Sequence, residues 1–269
     1  MNSGAMPIGV FDSGVGGLTV LRALRAALPG EDFIYLGDTA RLPYGTKSPQ
    51  TVARYSSQCA ARLHERGIRC LVVACNTASA FALDELRVEY PHIPVVGVID
   101  PGAEAAVAAS VSRRIAVIGT EATIAGGAYQ RAIGRLSVDA RVSARACSLF
   151  VAMAEEGWTE GELTEAVARR YLESLFVGRD APDTLVLGCT HFPVLTDAIR
   201  AVLPPGVSIV DSAATTAAAV RRILGPGDES AGAGSVTLLA TDGAARFARV
   251  GGAFLGEAVR ADSVEIVDL

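Results

Sequence analysis

Short β-branched and aliphatic runs alternate along the chain with longer amphipathic segments, a pattern that predicts repeated strand–helix units around mostly parallel sheets. Ile8-Gly9-Val10-Phe11 leads through a glycine turn to Leu18, Leu21, Leu24 and Leu28, whose spacing is helical until Pro29-Gly30 stops it. Phe33 to Leu36, Cys70 to Ala74 and Val95 to Ile99 read as further buried strands. Ser48-Pro49 supplies a cap and first position for a helix running to about Arg66. Residues 1–100 therefore read as one doubly wound unit.

A second series begins at Ile115-Ala116-Val117-Ile118-Gly119, passes a helical stretch from about Thr159 to Phe176 and reaches Thr184-Leu185-Val186-Leu187. Leu71-Val72-Val73-Ala74-Cys75-Asn76-Thr77 has a counterpart in Leu185-Val186-Leu187-Gly188-Cys189-Thr190-His191. Each is a buried strand ending in a cysteine, a polar residue and a helix start. The echo predicts a degenerate internal duplication whose period is too long for a solenoid. The fold class that follows is α/β, with two pseudo-symmetric doubly wound lobes and an active-site cleft between them. The Ala/Gly/Ser-rich stretch from Gly225 to Ser235 reads as an exposed loop, followed by a strand at Val236 to Ala240, a short helix and a last strand at Val264 to Val267. Because the second series is already complete, residues after about Ser212 are expected to return to the first lobe. The lobes are then residues 1–100 plus 212–269, carrying Cys75, and residues 101–211, carrying Cys189.

Composition narrows the chemistry. Half of the 269 residues are hydrophobic and a fifth are charged, enough to bury a core and unlike a disordered chain. A formal net charge of -5 with no Lys/Arg-rich run speaks against direct nucleic-acid binding. The most apolar stretch, Leu71 to Leu83, carries Asn76 and Thr77 in its middle, so no membrane span is expected. Met1 to Val10 holds no basic residue and lacks the regions of a secretion signal, which predicts a cytoplasmic protein with reduced thiols, in keeping with five unpaired-looking cysteines. Among 24 basic residues only Lys47 is lysine, in a Pro/Gly/Ser-rich loop, so a pyridoxal Schiff base is not expected.

In open α/β sheets ligands gather at the carboxyl ends of the strands, and there lie Asp12-Ser13, Asp38-Thr39, Cys75-Asn76-Thr77, Thr120 and Cys189-Thr190-His191. Cys59, Cys70 and Cys147 lack polar company and read as small buried hydrophobes. Cys75 and Cys189 differ, since a helix N-terminus at each strand end can lower a thiol pKa. A racemase must take a weakly acidic α-proton from one face of a carbon and return one to the other, and one cysteine per lobe supplies that pair. Asp12 is the candidate to set the proton of Cys75, and His191 that of Cys189; a helix cap for Asp12 and a surface or capping role for His191 are the competing readings. Ser13, Asn76, Thr77 and Thr190 offer compact donors and acceptors for an amino acid, and Pro43-Tyr44-Gly45 offers backbone N–H groups for a side-chain carboxylate.

Two other motifs fit poorly. Gly14-Val15-Gly16-Gly17 follows a strand as a dinucleotide fingerprint does, but the last small position falls on Thr19. Cys75, Cys189 and His191 could ligate zinc if they converged, yet no C-x-x-C pair accompanies them, so no metal is expected.

Five motifs in order, Ile8 to Gly17, Tyr35 to Thr39, Pro43 to Gly45, Ala74 to Ala78 and Leu187 to Pro193, make almost the whole chain resemble the glutamate racemases. The resemblance implies no cofactor and interconversion of L- and D-glutamate, supplying D-glutamate for bacterial peptidoglycan. By position it implies catalytic cysteines at Cys75 and Cys189 and substrate-binding pairs at Asp12-Ser13, Tyr44-Gly45, Asn76-Thr77 and Thr190-His191. It also implies an acidic residue assisting the second cysteine, matched by Glu155, with Glu156 beside it as the alternative in Phe150-Val151-Ala152-Met153-Ala154-Glu155-Glu156. A related racemase acting on aspartate is the nearest rival. Some relatives of the glutamate racemases bind and inhibit DNA gyrase, so the resemblance implies that a gyrase interaction could coexist with catalysis, and the sequence leaves the oligomeric state, a homodimer included, unset.

Overall fold

A computed structural model, describing residues 6–227 and 232–269, divides the chain into two sheets whose strands are all parallel. The first series runs β1 (Ile8–Asp12), α1 (Leu18–Ala27), β2 (Phe33–Gly37), α2 (Pro49–Glu65), β3 (Cys70–Val73), α3 (Asn76–Phe81), α4 (Leu83–Glu89), β4 (Val95–Gly97) and α5 (Ile99–Ala109). The second runs β5 (Arg114–Gly119), α6 (Glu121–Ala125), α7 (Ala128–Leu136), β6 (Arg141–Ala146), α8 (Leu149–Glu156), α9 (Glu162–Leu172), β7 (Thr184–Gly188), α10 (Thr196–Val202), β8 (Ser208–Asp211) and α11 (Ser212–Leu224). Then come β9 (Val236–Ala240), α12 (Ala244–Leu255) and β10 (Val264–Ile266).

The sheets repeat one strand order. The first is β10-β9-β2-β1-β3-β4 and the second β6-β5-β7-β8, so the second strand of each series lies beside the first, then the third, then the fourth. β9 extends the first sheet by pairing with β2, Phe33 opposite Val236, and β10 pairs with β9. β1, β3 and β7 are buried at every residue, as parallel strands covered on both faces must be, and this is why they read as continuous apolar runs.

Two helices cross between the lobes. α5, which leaves β4, packs on α7, β7 and β8, while α11, which leaves β8, packs back on α1 and α5. One core therefore spans both sheets, with Val10, Leu18 and Val72 in the same cluster as Val117, Leu187 and Phe192. A second cluster fills the space between the first sheet and α2 to α4, through Phe11, Leu36, Val52, Leu63, Leu83 and Leu86.

Among the boundaries that differ from the sequence reading, the strand expected over Cys70 to Ala74 ends at Val73. The strand expected over Val95 to Ile99 stops at Gly97, because Val98 and Ile99 are apolar as the entry to a helix buried between the lobes. The helix expected from Thr159 to Phe176 is α9 followed by a single 3₁₀ turn, Glu173–Leu175. The last strand ends at Ile266. The middle of the Gly225 to Ser235 loop and the first residues of the Met1 to Val10 segment lie outside the described residues. Among the described residues no helix is long and apolar enough to cross a membrane.

Candidate active site

β1 and β3 are neighbours at the middle of the first sheet, and β5 and β7 are neighbours in the second. Their carboxyl ends deliver Asp12-Ser13, Cys75-Asn76-Thr77, Thr120 and Cys189-Thr190-His191, and contacts across the lobes bring these groups together. Thr77 Oγ1 lies 3.0 Å from Thr120 Oγ1 and 3.1 Å from Thr123 Oγ1. Tyr129 on α7 donates its hydroxyl to Asn76 Oδ1 at 2.8 Å, and Thr19 on α1 donates to the Thr190 carbonyl at 3.1 Å. A Cβ built on Gly16 would fall 2.4 Å from His191 Nδ1, and one on Gly45 2.7 Å from Thr120 Cβ. Only glycine permits either approach.

Cys75 caps α3: its Sγ accepts the Ala78 N–H at 3.5 Å, and its thiol donates to Ser13 Oγ at 3.6 Å. The expected lowering of its pKa by the helix N-terminus does not prevail. Burial first, and then the charge of Asp12, push the thiol up to about 12, against the weaker pull of the Ala78 amide and Ser13. The charge of Cys189 adds, as the smallest contribution, to that rise. Asp12 is fully buried and is not a helix cap, since α1 is capped by Gly17 without a side-chain bond. Burial raises its carboxyl, while His191 and the backbone N–H groups of Gly17, Gly14 and Ser13 pull the other way. Asp12 thus acts electrostatically on both halves of the site, where the sequence paired it with Cys75 alone.

Cys189 has a different environment. The helix start expected after it is a 3₁₀ turn, Phe192–Leu195, with Pro193 early in it, and α10 begins only at Thr196. Cys189 instead meets His191, Sγ to Nδ1 at 3.8 Å. The other ring nitrogen of His191 lies 3.1 Å from Glu155 Oε1, and Glu155 Oε2 accepts from Arg246 at 2.7 Å. His191 is buried, and although it occupies the N-cap position of that 3₁₀ turn its side chain makes no capping bond, so neither a surface nor a side-chain capping role describes it. Burial opposes the imidazolium, but the bonds to Cys189 and Glu155 and the charge of Asp12 outweigh it and raise the His191 pKa. Burial likewise opposes the Glu155 carboxylate, yet His191 and Arg246 hold it down to about 2. Glu156, the alternative, points to solvent as an exposed residue.

Among the described residues, two buried polar atoms of this site have no hydrogen-bond partner, Asp12 Oδ1 and Asn76 Nδ2. One is an acceptor and the other a donor, and such groups are costly to bury unpaired. The Tyr44–Thr46 turn behaves differently from expectation in one respect: the Tyr44 side chain is buried and its hydroxyl donates to Asp38, which also takes the Arg41 Nε–H at 2.7 Å and the Thr241 hydroxyl at 3.0 Å. Asp38 therefore anchors the turn, Gly45 meets Thr120, and Pro43 is exposed at the turn's start. Thr123, Tyr129, Thr19 and Arg246 escaped the sequence reading, having no local signal beyond their residue type. Among the described residues no three His, Cys, Asp or Glu side chains converge as metal ligands.

A family model described as Asp/Glu/Hydantoin racemase matches residues 8–220. The glutamate racemase of Geobacter metallireducens is 53% identical over 253 residues, covering 93% of this chain and 92% of that protein. Among solved structures, Thermus thermophilus glutamate racemase in complex with beta-chloro-D-alanine superposes with a TM-score of 0.85 at 45% identity, covering 98% and 97% of the two chains. Francisella tularensis glutamate racemase in complex with D-glutamate gives 0.88 at 34% identity, again with 98% and 97% covered.

Proposed function

The chain belongs to the Asp/Glu/Hydantoin racemase family, and on that premise we propose that it interconverts L- and D-glutamate without a cofactor, using Cys75 and Cys189 as the two acid–base groups. One observation carries this reading: two cysteines stand at matching strand ends of a repeated topology, on facing lobes, each with its own proton partner nearby. The substrate class follows the similar proteins, which are glutamate racemases, one of them solved with D-glutamate.

In one direction a thiolate on one face removes the α-proton, and the carbanion takes a proton from the thiol on the other. In reverse the roles exchange, as microscopic reversibility requires. In this reading His191 receives or returns the Cys189 proton and Glu155 fixes the ring through its other nitrogen, supported by the Sγ–Nδ1 and Nε2–Oε1 contacts. Asp12 and Ser13 serve Cys75. The unpaired Asn76 amide suits the substrate's α-carboxylate and the unpaired Asp12 oxygen its ammonium, with Thr77, Thr120, Thr190 and the Pro43-Tyr44-Gly45 turn completing the enclosure. The lobe built on the first sheet contributes Cys75 and that built on the second Cys189. The product D-glutamate would serve cytoplasmic peptidoglycan synthesis.

The test follows optical rotation and α-proton exchange of L- and D-glutamate in deuterated water without added cofactor, with aspartate as comparison substrate. Cys75→Ser and Cys189→Ser are each expected to lose racemisation by about 100-fold or more. Full activity in either variant, an absolute need for pyridoxal phosphate, or faster turnover of aspartate would overturn the proposal.

A further inference from the structure

Glu155 is held at both oxygens, and the two holders come from different lobes. His191 follows β7 of the second sheet, and Glu155 lies on α8 beside it, but Arg246 lies on α12, which packs on α1 and β10 of the first lobe. The Glu155 side chain is only 13% exposed, whereas that of Arg246 is 45% exposed. The guanidinium therefore closes the outer end of a chain that starts at a buried sulfur: Cys189, His191, Glu155, Arg246.

The same helix touches the chain a second time. Phe254 packs edge-on against the His191 ring, centroids 5.1 Å apart. Arg246 and Phe254 are eight residues apart, a little over two helical turns, so they lie on one face of α12. One helix of the first lobe thus supports both the ring and the carboxylate that orient the second lobe's cysteine.

We propose that Arg246 is a positioning residue for proton transfer at Cys189, acting through Glu155, and that docking of α12 couples the approach of the lobes to assembly of the Cys189 half-site. The inference rests on the two-cysteine mechanism. A carboxylate bonded at one oxygen alone can swing away from His191; bonded at both, it fixes the imidazole so that Nδ1 faces Cys189. Where a carboxylate orients a metal-bound histidine, removing such an outer contact costs about tenfold or more, and an imidazole that must face a reacting thiol depends on its orienting carboxylate in the same geometric way. The charged and titratable groups meeting at Glu155 and His191 are Arg246, Cys189 and Asp12.

The experiment uses the full chain with Arg246→Gln and Arg246→Lys, alongside Cys189→Ser. Arg246→Gln is expected to lower kcat about tenfold with a smaller change in KM, while its thermal unfolding stays close to that of the parent. Its acid limb of activity should move to higher pH, because Glu155 loses a partner that keeps it ionised. The α-deuterium isotope effect should rise for the enantiomer that Cys189 deprotonates and not for the other. Arg246→Lys, which can still reach Oε2 with one N–H, should recover most of the loss. An unchanged kcat, pH profile and isotope effect in Arg246→Gln, with Cys189→Ser inactive, would overturn the inference and leave the two-cysteine mechanism standing; an active Cys189→Ser would overturn both. A loss in Arg246→Gln that Arg246→Lys does not recover, with both isotope effects unmoved, would also overturn it.

Discussion

Tyr129 donates its hydroxyl to Asn76 Oδ1 at 2.8 Å, tying a helix of the second lobe to the residue that follows Cys75 in the first. The bond fixes the Asn76 amide and thereby places Nδ2, which has no partner of its own. Tyr129→Phe keeps the ring and leaves Oδ1 buried and unsatisfied, a cost of about 1–3 kcal/mol. The amide also gains freedom to turn. Thermal melts should show the lost stability, and KM for glutamate should rise about three- to tenfold, equivalent to roughly 1 kcal/mol of lost orientation. An unchanged KM would separate Asn76 from substrate binding.

The raised pKa of Cys75 makes a second expectation. A thiol pushed up to about 12 by burial and by Asp12 is mostly protonated at neutral pH and alkylates slowly. Asp12→Asn removes the charge and leaves the burial. Iodoacetamide labelling of Cys75, followed by peptide mass spectrometry, should then quicken by about three- to tenfold, while racemisation falls because the partner that sets the proton is gone. Slower labelling in Asp12→Asn would mean that Asp12 does not load Cys75 electrostatically.

The strand ends were legible because fully buried parallel strands leave uninterrupted apolar runs that break at the first polar residue, as at Asp12, Cys75 and Cys189. The duplication was legible for the same reason, since both halves carry the run and the cysteine in the same order. The signal failed where an apolar run has two causes, as at Val98 and Ile99, whose hydrophobicity belongs to a helix buried between lobes. It failed again after Cys189, where a polar dipeptide and Pro193 open a 3₁₀ turn instead of a helix. Tyr129, Thr123 and Arg246 were out of reach altogether, because their partners lie 53, 46 and 91 positions away. Spacing along the chain carries no trace of such contacts. The thiol pKa was misjudged for a related reason: the helix terminus is local and visible, whereas the burial and the Asp12 charge that outweigh it arise from packing.

Glu155 should leave a mark on stability as pH falls. Burial works against its charge, but His191 and Arg246 hold it from an ordinary 4.5 down to about 2. A depressed carboxylate stabilises the fold fully above the unfolded value and loses that contribution as pH drops through the folded one. The stability gap between the parent and Glu155→Gln, read from urea unfolding, should therefore be widest near neutral pH and close between about 4.5 and about 2. A gap that stays constant over that range would show that the ion pairs contribute nothing to folding.

Two glycines separate geometry at the site from helix propensity elsewhere. A Cβ at Gly16 would lie 2.4 Å from His191 Nδ1 and 2.6 Å from Thr190 Oγ1, so Gly16→Ala must push the imidazole off its line to Cys189. Gly134 sits in the exposed interior of α7 with nothing within 4 Å of the added carbon. There alanine removes chain entropy from the unfolded state and favours the helix by about 0.5–1 kcal/mol. Gly134→Ala should raise the unfolding temperature by about 1–4 °C with unchanged racemisation. Gly16→Ala should cut kcat about tenfold or more, because the acid–base partner of Cys189 is displaced while most of the core is untouched. Both follow from one enzyme assay and one melting curve per variant. Normal turnover in Gly16→Ala would mean that His191 can work from a shifted position, and the close fit of α1's entry turn against it would then have no catalytic consequence.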